Sequence, residues 1–143
     1  MNKAFFAAAT LSLIFSSSAF AHGACGHTEL HGYMIGIKDE LKLLSSDVKS
    51  GNNGGAVERI DNIVGFLEKS HDVIPHQFSS DHLEGAQLEE KTAEFKKVLD
   101  DTIEVFNNLE AALGSNDSAE VRRLFGQIGE QRNIGHRSFK EDC

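Results

Sequence analysis

Residues 88–113, LEEKTAEFKKVLDDTIEVFNNLEAAL, decide the fold. Phe95, Leu99, Thr102, Phe106, Leu109 and Leu113 recur by threes and fours, and Val98, Ile103 and Ala112 widen the same stripe. A repeat near 3.6 residues lays these side chains along one face of a helix and turns the Glu, Lys and Asp residues between them outward. Such a face must be covered by other elements, so the neighbouring sequence has to supply them.

It supplies three more helices. Downstream, residues 114–118 (GSNDS) stop the long helix, and Asp117 or Ser118 with Glu120 offers a capping-box start for the next. That helix runs to about Lys140 on Val121, Leu124, Phe125 and Ile128, and its spacing leads on to Arg132, Gly135 or His136, and Phe139. Upstream, Leu30, Met34, Ile37, Leu41, Leu44 and Val48 define a first helix, and residues 50–55 (SGNNGG) end it. A second follows on Ala56, Ile60, Ile63, Val64, Leu67 and His71. Between His71 and Gly85, around Pro75, the only proline, no period is sustained, and the reading is a long loop. Strand signals are almost lacking. The expected fold is all-α, an antiparallel up-down-up-down four-helix bundle with both chain ends at one end.

The N-terminus reads as an export signal. Lys3 precedes an apolar run from Ala4 to Phe15, and Ala19-Phe20-Ala21 gives a small-x-small cleavage pattern. Ser16, Ser17 and Ser18 end the run too early for a helix spanning a bilayer core of about 30 Å. Residues 1–21 are thus the expected signal peptide, and residues 22–143 one domain with no membrane span. Export leads to an oxidising compartment, where Cys25 and Cys143, the only cysteines, are expected to pair. With 22 acidic against 14 basic residues and a net charge of −8, the chain repels nucleic acid and favours a basic partner protein.

Met34 lies about one turn inside the first helix and His136 about one turn before the end of the last, each assigned to the inward stripe. Antiparallel packing sets them at similar depth. A thioether and an imidazole meeting inside a bundle are donors for haem iron or for copper, and the spacing does not choose between them. No Cys-x-x-Cys-His occurs, so a haem here would be the non-covalent b type. The N-terminal His22, Cys25, His27 and His31, with Met34 beyond them, give the competing reading, an exported copper-binding bundle without haem. His71, His76 and His82, with Asp72 and Asp81, match no zinc spacing and read as solvated loop residues. No nucleophile elbow, triad context or phosphate-binding loop is present, and the chain is not expected to be an enzyme.

The segment Gln131-Arg132-Asn133-Ile134-Gly135-His136-Arg137 resembles the Arg-Asn-x-x-His segment of the soluble periplasmic cytochrome b562 family, and Met34 matches that family's other axial ligand. The resemblance extends over the mature chain in helix order and loop placement. It implies a monomeric periplasmic electron carrier with one haem b, ligated by Met34 and His136 and serving a transient redox partner. Arg132 would lie beside the haem, Phe95 would pack on it, and Leu41 and Ile37 would line the pocket. Two positions depart from the family pattern: Leu99, where a second aromatic is usual, and Gly135, where a bulky residue is usual.

Overall fold

A computed structural model describes residues 28–140. The expected signal peptide, His22, His27 and the expected Cys25–Cys143 pair lie outside the described residues. Every regular element within them is a helix: α1 (Glu29–Ser50), α2 (Asn53–Ser70), α3 (His76–Ser80), α4 (Gly85–Gly114) and α5 (Ser118–Phe139). None is long and apolar enough to cross a membrane.

The helix ends follow from local chemistry. Thr28 Oγ1 accepts from the backbone N–H of His31 at 3.2 Å and caps α1. Gly51, at φ 74°, closes it in the left-handed conformation that costs glycine least. Asn52 then caps α2 by accepting from the Gly55 N–H at 3.1 Å. Asp117, one of the two caps expected from sequence, accepts from the Glu120 N–H at 3.0 Å and starts α5.

The stretch after His71 is more ordered in kind than a loop. Pro75 leads into α3, and Phe78 on it is 2 % exposed, its ring edge-on to Phe139 at 6.1 Å between centroids. A five-residue helix is too short to show a period, which is why the sequence suggested four helices where five occur.

Contacts fix the helix directions. On α1 and α2, Gly36 meets Phe66, Glu40 lies 3.4 Å from Arg59, and Asp47 lies 3.5 Å from the same guanidinium. Numbers rise on one helix as they fall on the other, so the pair is antiparallel. Gly36 lets the helices approach closely there, because a Cβ would stand 2.6 Å from Phe66 Cζ and the ring would have to move. Between α2 and α4, Asn53 Nδ2 donates to the Leu113 carbonyl at 3.3 Å near one end, and His71 Nε2 lies 2.8 Å from Asp100 Oδ1 near the other. Between α4 and α5, Phe95 packs on Phe139 at 5.3 Å, and Val98 faces Gly135. These are again antiparallel. Leu44, Ile60, Ile63, Leu109 and Leu124 are fully buried at the centre, with Phe106 at 1 % exposure.

The packing is uneven around the molecule. Extensive backbone contact joins α1 to α2, α2 to α4 and α4 to α5, but nothing comparable joins α1 to α5. Those two helices share a small hollow at one end, where Val48 lies with Val121, Ala112 and Leu113.

Candidate functional site between α1 and α5

The alternation of directions brings the start of α1 and the end of α5 to the same end of the molecule. Each helix there has one flank engaged and one flank open. On α1, Gly36, Glu40 and Asp47 point to α2. Met34 and Leu41 lie about 120° round the helix from that flank at 100° per residue, on the side turned away from α2. Both are half-buried, as are Leu30 and Ile37, and Leu44 is the one fully buried residue that α1 contributes.

On α5, the inward line runs through Val121, Leu124, Ile128 and Phe139, all buried. Gly135 belongs to it, and a Cβ there would meet Val98 Cγ1 on α4 at an ordinary 3.6 Å. Arg132 lies within about 20° of the line joining Val121 and Phe139. It is nevertheless exposed. His136 stands about 60° to the side of Phe139, on the flank where Phe125 is half-buried, and is exposed too. The inward stripe expected at His136 therefore passes through Gly135 and Phe139 instead, because residues four apart stay nearly in register while the neighbour is rotated by 100°.

His136 has a shifted acidity. Partial desolvation, then the Arg132 guanidinium and Lys140, hold its pKa below the ordinary 6.5. The imidazole is consequently neutral at pH 7, the form that coordinates a metal. Arg132 and His136 are one turn apart on α5. Phe95 is drawn elsewhere: at 4 % exposure it is wedged against Phe139, which also carries Phe78, so three rings from α3, α4 and α5 fill the α4 side of this end. Leu99 is buried one turn along from Phe95.

Phe139 and Phe78 were not singled out as site residues from the sequence. For Phe139 the signal was present, since it stands eleven residues after Ile128, three helical turns on the same line. Among the remaining histidines, His71 differs from a solvated loop residue: it ends α2, is half-buried and pairs with Asp100. His31 is exposed in the first turn of α1. Among the described residues no group of three or more His, Cys, Asp or Glu side chains gathers to hold a metal ion.

The open seam thus offers a half-buried apolar wall on α1 with a thioether in it, and a wall on α5 with a neutral imidazole and an exposed guanidinium. The donor set suits an iron porphyrin: a soft and a borderline axial donor, apolar surface for the ring and a cation for carboxylates. No family model, no curated protein and no solved structure matches this chain.

Proposed function

We propose that the chain is a monomeric periplasmic electron-transfer protein, an up-down-up-down four-helix bundle that holds one b-type haem in the seam between α1 and α5. Met34 and His136 are the axial ligands, Ile37 and Leu41 line the α1 wall, Arg132 neutralises a haem carboxylate, and Phe95 acts from behind Phe139. The observation that carries this reading is the unfilled flank of α5: Arg132 is exposed on a line of buried residues, and the stripe of α1, which starts at the same end of the molecule, is only half covered. The resemblance of residues 131–137 to the cytochrome b562 segment supplies the identity of the group.

When bound, the haem supplies a one-electron Fe(III)/Fe(II) couple. The residues of the chain do the rest. Met34 and His136 would hold the iron between a thioether and an imidazole, a donor pair that would raise its potential and suit electron transfer rather than catalysis. Ile37 and Leu41 would line the apolar wall that keeps water from the group. Partial burial, with the Arg132 guanidinium and Lys140 beside it, lowers the pKa of His136 and favours the neutral imidazole that would coordinate.

Haem titration of the purified protein tests this. Binding should saturate at one equivalent, with a sharp Soret band and low-spin visible bands on reduction. His136→Ala should lose this spectrum, and Met34→Ala should retain weaker binding without the methionine-to-iron band of the oxidised form. Failure to take up stoichiometric haem, together with Cu(II) binding that depends on His22, would replace this reading with the copper-binding one.

A further inference from the structure

The outer face of α5 is rich in arginine, in a chain that is acidic as a whole. α5 carries four arginines against two glutamates, whereas α4 carries seven acidic residues against three lysines. Glu120 is taken by Arg123, whose Nε donates to it at 2.7 Å. Arg122 has no ion-pair partner among the described residues, and Arg137 spends only its Nε, on the Asn133 carbonyl at 3.3 Å. Lys140 follows in line. Between these side chains the surface is low, because Gly126 and Gly129 are exposed and a Cβ on either would meet nothing within 4 Å.

We infer that this face of α5 docks a carboxylate-rich patch on a partner protein. Free arginine forks recognise carboxylates in pairs of parallel hydrogen bonds, and the two glycines let the partner's side chains reach them. Charge complementarity selects a compact partner. An extended polyanion, such as nucleic acid or an anionic bilayer, would also meet the carboxylates of α4 and the net −8 of the chain, whereas a small acidic patch senses mainly charges within a Debye length of about 8–10 Å. The acidic composition, which by itself favours a basic partner, is thus reversed locally. The face borders His136, so a partner docked on it stands beside the proposed haem. The inference rests on the haem reading only in making that partner a redox protein.

A labelled tetraglutamate peptide, short enough to stay within the α5 face, is the probe, followed by fluorescence anisotropy. The protein should bind it at low salt, about tenfold or more tighter than at high salt, and equally with or without added haem. Arg122→Glu with Arg137→Glu, which spares Arg132 and His136, should abolish binding while the helical circular dichroism is retained. Lys96→Glu with Lys97→Glu on α4 should leave it intact. No binding by the parent protein, survival of binding in the α5 variant, loss in the α4 variant, or equal capture by phosphatidylglycerol vesicles would each overturn the assignment. Because binding is read without haem, its failure is separate from failure of haem uptake.

Discussion

The two flanks of α5 are built from the same helix and end differently. Toward α4, Leu124, Ile128 and Phe139 are buried, Gly135 admits Val98, and Phe95 and Phe78 close around Phe139. On its other flank, Phe125 is half-buried and Arg132 and His136 are exposed, and Met34 and Leu41 on α1 are likewise only half-buried. The difference lies in which residues the chain places there. Apolar side chains on the α4 flank are satisfied by the protein alone, while the α1 flank combines apolar surface with a thioether, an imidazole and a guanidinium, a mixture that packs poorly against itself and suits a group with an apolar body and charged edges.

Substitutions should separate the flanks. The largest effect is expected at Phe139→Ala, which empties a ring from the closed side and should cost about 3–5 kcal/mol in chemical denaturation. Phe125→Ala, on the open side, should cost well under half of that in the haem-free protein, because its environment already admits water. Equal losses would mean that the flanks are alike. Gly129→Ala meets open space within the helix and should stabilise by about 1 kcal/mol through helix propensity.

The smallest effect is electrostatic. With its pKa below 6.5, His136 in the haem-free folded protein binds its proton less readily than in the unfolded chain. Its contribution to stability is therefore complete above 6.5 and is lost as the pH falls through the folded value. Arg132→Gln should move the His136 titration, read by NMR, upward toward 6.5 and narrow that window.

Much of this was legible in the residues. The stripes of α1, α2, α4 and α5 and the Asp117 cap come from hydrophobic period and side-chain chemistry, which act locally. Within the α4 stripe, Val105 was missed although it is buried at 8 % exposure, because it stands beside Phe106 and breaks the three-four rhythm. α3 was hidden by its shortness, and Phe78 by its place in a stretch without period. The site was legible in part. Met34 and His136 share an end because the helix directions alternate, but period alone assigned His136 to the inward line; only the packing of Gly135 on Val98 reveals that the line passes beside it. The pairing of His71 with Asp100 depends on a contact between distant helices, and no local pattern announces it.

Backbone amide exchange, compared with and without one equivalent of haem, tests the central claim most directly. The account predicts slowing concentrated in the first turns of α1 around Met34, Ile37 and Leu41 and in the last turns of α5 around Arg132 and His136, with Leu109 and Leu113 near the opposite end little changed. Uniform slowing, or no change along α1, would contradict it.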